Sequence, residues 1–170
     1  MEEKKRKVIF IKIMVVIVSF WKFLKLSKIL KAVFVLKPVI TFGSMFLTFL
    51  LYSFMTGPQF AFGVIFVLFV HEMGHVAAYK KLGCEFSAPV FIPFFGAVIF
   101  SPEVNDYDKE AYMAFGGPFF GAIISYILFF FWWFLPSHPE ILLLIAYISI
   151  FINLFNMIPF RPLDGGRILH

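Results

Sequence analysis

The chain has 170 residues, 61% of them hydrophobic and 15% charged, against about half and a quarter in an average soluble domain, so composition excludes a soluble globule and points to a membrane protein. The formal charge of +5 does not point to nucleic acid: residues 1–37 hold ten of the fifteen basic residues with two acidic ones, while 38–170 hold five with eight. A single cysteine, Cys84, excludes both an intrachain disulfide framework and a cysteine-based zinc site.

In chain order, residues 1–37 read as a basic membrane-surface region and 38–170 as the membrane core. The apolar stretch 8–20 is interrupted by Lys12 and followed by Trp-Lys-Phe-Leu-Lys rather than small residues, so it is not a cleavable signal peptide. It joins the next segment or half-inserts; Lys12 makes a full span costly. In 22–37, Lys22, Lys25, Lys28 and Lys31 recur among Leu, Ile and Phe, which predicts a basic amphipathic helix in the anionic headgroup region.

Four segments are long and apolar enough to span a bilayer: 39–56, 60–79 with Glu72 as its one charge, 111–135, and 141–160. About twenty helical residues cover the roughly 30 Å hydrocarbon core. Between the second and third, 86–100 is apolar but carries Pro89, Pro93 and Gly96, too many breakers for a helix, so it predicts extended strands or a hairpin. Extended backbone at that depth must be covered by protein or face water. The fold class is therefore an all-α polytopic membrane protein of about four transmembrane helices, with an interfacial helix and a short β-like segment. Placing 1–37 in the cytoplasm puts Lys80, Lys81, Arg161 and Arg167 on that same side, as the positive-inside rule requires.

The second predicted span carries His71-Glu72-Met73-Gly74-His75, an H-E-x-x-H pattern. Residues four apart share a helix face, so both imidazoles reach one ion, and Glu72 lies beside them to take a proton from water. A lone histidine in an apolar helix is ordinarily an interior residue with a satisfied hydrogen bond. Two histidines and a glutamate within five residues of a span are functional by default, because ionisable groups cost several kcal/mol at bilayer depth. Zinc needs a third protein ligand. Glu85, Glu103, Asp106, Asp108 and Glu110 lie in the 82–110 segment and Glu140 on the outer side, which leaves Asp164. It follows the fourth span, whose inner end lies at the depth of the second. There Pro159 and Pro162 break the helix and turn the chain inward. A solvated Asp in an interfacial Pro-Gly turn is the bland alternative.

Asn153 and Asn156 lie three apart on one helix face, and Gly117 and Gly121 have the small-xxx-small spacing of packed helices. Interhelix contact explains all four without chemistry.

H-E-x-x-H on one span with Asn156-x-x-Pro159 and Leu163-Asp164-Gly165 on a later one resembles the site-2 protease family of intramembrane zinc metalloproteases. The resemblance covers roughly 39–167 and includes Gly116-Gly117-Pro118. Many members carry Asn three residues after that proline, where this chain has Gly121. Residue by residue, the resemblance implies Zn²⁺ held by His71, His75 and Asp164, catalysis by Glu72, and substrate contact by Asn156. It implies hydrolysis of a peptide bond within or near a transmembrane segment of a membrane protein, in the cell membrane, with the site opening toward the cytoplasm. Lipid bilayer and a membrane protein substrate are the expected partners; nucleic acid is not. Members usually continue with further spans, so a C-terminally shortened chain is expected. A catalytically silent metal-binding scaffold and an ion transporter are the competing readings; the second lacks the internal repeat common in transporters.

Overall fold

The computed structural model describes residues 27–169. The expectations for 8–20, and for Lys22 and Lys25 of the amphipathic helix, lie outside the described residues. The chain divides into two compact units, Met1–Lys37 and Pro38–His170.

Helix α1 (Ser27–Thr56) contains the first apolar span, Leu36–Thr56, with Pro38 inside it. It stops at Gly57, whose φ of +88° lies in the left-handed region that favours glycine. Pro58 then opens α2 (Pro58–Lys81) at the one helical position where a missing N–H costs nothing. Two residues thus turn the chain back. The far end of α2 closes in a Schellman motif: Cys84 N–H donates to Tyr79 O at 3.0 Å and Gly83 N–H to Lys80 O at 3.2 Å, with Gly83 at φ +67°. Lys80 and Lys81 occupy the last turn, where the helix dipole favours cations.

The proline-rich segment folds as a hairpin, β1 (Val90–Ile92) against β2 (Gly96–Val98), antiparallel with Phe91 opposite Ala97. It is tied to α1 by side chains. Thr41 Oγ1 donates to Pro89 O at 3.0 Å, Phe91 N–H to Ser44 Oγ at 3.0 Å, and Phe94 N–H to Tyr52 OH at 2.9 Å. These bonds satisfy backbone groups that a two-stranded sheet leaves open.

Helix α3 (Tyr107–Phe134) starts earlier than the expected residue 111, because Asp106 caps it by accepting from Lys109 N–H at 3.1 Å. Asp108 and Glu110 fall in its first turn. It crosses α2 where Gly74 and Gly116 meet backbone to backbone; a methyl group on either would collide with the other's carbonyl. Small residues allow such approach between membrane helices.

At the fourth expected span lies a shorter apolar helix, α4 (Glu140–Asn156), whose 17 residues end four before the expected 160; the three other apolar helices among the described residues are longer and apolar enough to cross a membrane. Pro159 acts upstream of itself, since proline bars the residue before it from helical geometry. Met157 therefore caps the helix, its N–H on Asn153 O and Leu154 O at 3.1 Å. The freed chain bends into a single turn, α5 (Asp164–Ile168), which packs against α3.

Large apolar side chains face outward along the helices, with Phe54 90% exposed and Tyr126 76%. The inside is rich in small and polar residues, including Ala61, Ala114, Ala146, Ser125 and Ser149. That inversion of a soluble core is what a lipid environment permits.

Candidate metal centre

One face of α2 presents His71, His75 and Tyr79, each a helical turn below the last, and all three are buried. Asp164, at the start of α5, is buried beside the two histidines. Its Oδ2 lies 3.2 Å from His71 Nε2 and 3.3 Å from His75 Nε2, and the two Nε2 atoms are 3.1 Å apart. The three donors form a nearly equilateral triangle. Donors bound at about 2.0–2.1 Å around a tetrahedral zinc lie roughly 3.3 Å from one another, so the triangle has the size of one face of that tetrahedron.

The hydrogen bonds behind the rings explain why the triangle needs a cation. His71 Nδ1 lies 2.9 Å from Asn153 Oδ1, and His75 Nδ1 lies 2.8 Å from Met113 O. Both partners are acceptors, so each Nδ1 carries the proton and each neutral Nε2 turns a lone pair inward. Gly117 N–H also approaches His75 Nδ1, at 3.3 Å. A protonated Nδ1 cannot accept it, and the shorter bond to a carbonyl that can only accept decides the tautomer. Two lone pairs and a carboxylate oxygen converging at about 3 Å, buried, is an arrangement that a divalent cation satisfies.

The glycines agree with that reading. A methyl group on Gly117 would collide with His75 Nε2 and lie 2.6 Å from His71 Nε2. Bare backbone is required directly over the donor atoms.

Glu72 is buried and lines the same cavity of about 240 Å³ as His71, His75 and Asp164. Tyr79, Asn156, Leu163, Arg167 and the strand residues Ala97 and Val98 complete much of its wall. The larger neighbouring cavity, about 490 Å³, holds Glu103, Asn105, Tyr107 and Glu110 and shares Arg167. The metal-type donors sit in the smaller one.

All five residues singled out in the sequence come together here. Asn156 lines the cavity, but its amide Nδ2 donates back to Ile152 O at 3.0 Å. The asparagine that touches a histidine is Asn153, whose spacing marked it only as an interior residue. The other acidic candidates serve elsewhere: Asp106 caps α3, and Glu110 pairs with Arg161 and Arg167. Among the described residues, His71, His75 and Asp164 are the one grouping of such side chains that could hold a metal.

Comparison with known proteins points the same way. The pattern of peptidase family M50 matches residues 59–140, which include the two histidines and Glu72 but stop before Asp164. The chain is 34% identical over 98 residues to a probable chloroplastic zinc metalloprotease of Arabidopsis thaliana, spanning 54% of this chain and 18% of that one. It is 30% identical over 117 residues to a zinc metalloprotease of Methanocaldococcus jannaschii, spanning 62% of this chain and 33% of the other. The chain thus covers a third or less of these relatives' lengths. The solved site-2 protease of Methanocaldococcus jannaschii superposes with a TM-score of 0.59 at 23% identity, over 74% of this chain and 60% of that one. Its fold is therefore shared.

Proposed function

We propose that this chain is a member of the site-2 protease family, to which its match to peptidase family M50 and its fold point, and that it hydrolyses a peptide bond within or near a transmembrane segment of a membrane protein. The observation that carries the proposal is the triangle of His71 Nε2, His75 Nε2 and Asp164 Oδ2 with Glu72 in the same cavity.

His71, His75 and Asp164 hold the ion. When bound there, zinc supplies Lewis acidity, making water acidic near neutral pH and polarising a carbonyl. Glu72, adjacent to His71, accepts a proton from the attacking water and delivers it to the departing amine nitrogen. The water oxygen adds to the carbonyl carbon, the C–N bond breaks, and a carboxylic acid and an amine result.

Helical peptide bonds are shielded by their own hydrogen bonds, so the substrate segment unwinds before cleavage. Strand β2 lines the cavity with Ala97 and Val98 and has β1 on only one of its edges. Its other edge receives the unwound segment by strand addition, and Asn156, on the same wall, contacts it. The opening faces the cytoplasm and the cell membrane is the site of action, a reading that the basic residues Lys80, Lys81, Arg161 and Arg167 support through the positive-inside rule.

The test uses the detergent-purified chain and a set of transmembrane peptides in proteoliposomes. The wild type binds near-stoichiometric zinc and cleaves at least one peptide. Asp164→Ala loses the metal, while Glu72→Gln keeps it and loses cleavage by about 10²–10⁴-fold. Cleavage that survives Glu72→Gln would overturn the mechanism, and metal without any cleavage would favour a silent metal-binding scaffold.

A further inference from the structure

We propose that Asn153 is a positioning residue for the metal centre: its amide oxygen holds His71 in the one tautomer and ring orientation that leaves Nε2 free for an ion. The inference rests on reading His71, His75 and Asp164 as the metal site.

Asn153 is buried on α4, and each end of its amide is committed. Nδ2 donates to Ser149 O at 2.6 Å, one turn back on the same helix. A backbone carbonyl can only accept, so the NH₂ end must face it. The oxygen is thereby turned outward to His71 Nδ1 at 2.9 Å. An oxygen there demands a proton on Nδ1, and a neutral imidazole then has its lone pair on Nε2, directed at Asp164 and His75. Ser149 O, Asn153 and His71 form a one-way chain in which each partner fixes the next.

Asparagine in a membrane helix commonly serves as glue between helices. Here the one bond it makes between helices, from α4 to α2, ends on a ring nitrogen of His71, and its other side-chain bond stays within α4. The adhesion between α3 and α4 at this level comes from other groups: Ser125 Oγ donates to Ser149 Oγ at 2.7 Å, and Ser149 Oγ reaches Gly121 O at 3.5 Å.

Space for the amide is made by Gly121 on α3, where any side chain would overlap Asn153. A small residue on one helix and an asparagine on the other together place a single amide behind His71. Oriented partners behind a ligating histidine commonly account for about 10–100-fold in metal affinity.

The experiment measures zinc affinity of the full chain in detergent by chelator competition, together with the absorption spectrum of the Co²⁺-substituted protein and the melting temperature without metal. Asn153→Leu keeps the size and loses the acceptor; affinity falls about 10–100-fold and the Co²⁺ bands change. Asn153→Asp still accepts from Nδ1 though it loses the donor to Ser149 O, and its affinity falls clearly less than that of Asn153→Leu. Equal losses in both variants would mean that packing, not acceptance, matters, and would overturn the proposal, as would wild-type affinity in Asn153→Leu. If Asn153→Leu does not fold, Gly121→Ala displaces the amide without removing it; unchanged affinity there overturns the proposal too. His71→Ala separates the two levels. A wild type that binds no more zinc than His71→Ala defeats the metal-site reading itself, whereas loss in His71→Ala alone defeats only the role of Asn153.

Discussion

Gly117 of α3 faces Nε2 of His75 on α2 across a gap too small for a methyl group. The helix that supplies no ligand therefore forms the floor on which the ligands rest. Gly117→Ala is expected to reduce zinc affinity roughly tenfold or more, equivalent to about 1.4 kcal/mol, while leaving the helical circular dichroism intact. Chelator competition checks this, and full zinc affinity in the variant would show that the floor is not needed.

The crossing of Gly74 and Gly116 leads to a stability effect. Gly74 lies one residue before His75, so separating the helices moves the donors as well. Gly116→Val is expected to destabilise the protein by about 1–3 kcal/mol through overpacking. Thermal unfolding in detergent reads the change, and an unaltered midpoint would count against the close crossing.

Glu110 is the shared partner of the two arginines that flank Asp164. Arg161 Nη2 reaches it at 3.4 Å and Arg167 Nε at 3.4 Å, while Arg167 Nη2 also donates to Tyr79 OH at 3.3 Å. The Arg161 side chain is 51% exposed, so its pair is screened and Arg161→Ala costs under about 1 kcal/mol. Arg167 is more enclosed and tied on two sides. Glu110→Gln and Arg167→Met should each loosen α5 and lower zinc occupancy more than Arg161→Ala does. The reverse order in metal analysis would reject this ranking.

Asp106 provides a pH dependence. The Lys109 backbone N–H donating to it holds its carboxyl below the usual carboxylate range, and the Lys109 ammonium at 3.4 Å acts the same way. A carboxyl lowered on folding contributes stability above its unfolded pKa, about 3.9, and loses it as pH falls through the folded value. The melting difference between wild type and Asp106→Ala should therefore be present above about pH 4 and shrink below it. A difference that grew on acidification would contradict the cap.

The residues of the candidate metal centre were legible in the sequence because their pattern is local: His71 and His75 are one helical turn apart, and few carboxylates lie outside the 82–110 segment. It did not separate Asn153 from Asn156. Both sit on one face of α4, and periodicity reports a face without reporting height. Which asparagine stands level with His71 depends on how far α4 slides along α2 and α3, and packing at glycines such as Gly63 against Ile145 decides that. Helix α4 ends before the expected span does for a related reason. Hydropathy stays high through Phe160, whereas the backbone obeys Pro159. The hairpin was foreseen from Pro89, Pro93 and Gly96, but its attachment to Thr41, Ser44 and Tyr52 was not, since those three residues announce nothing until a partner lies beside them.

The third ligand comes from 93 residues beyond the first. At synthesis rates of about 5–20 residues per second, the two histidines emerge roughly 5–20 s before Asp164. Throughout that interval a nascent chain holds two of the three donors, two imidazoles with no carboxylate. Order of synthesis thus leaves the candidate metal centre incomplete until helices α1 to α4 have all been made.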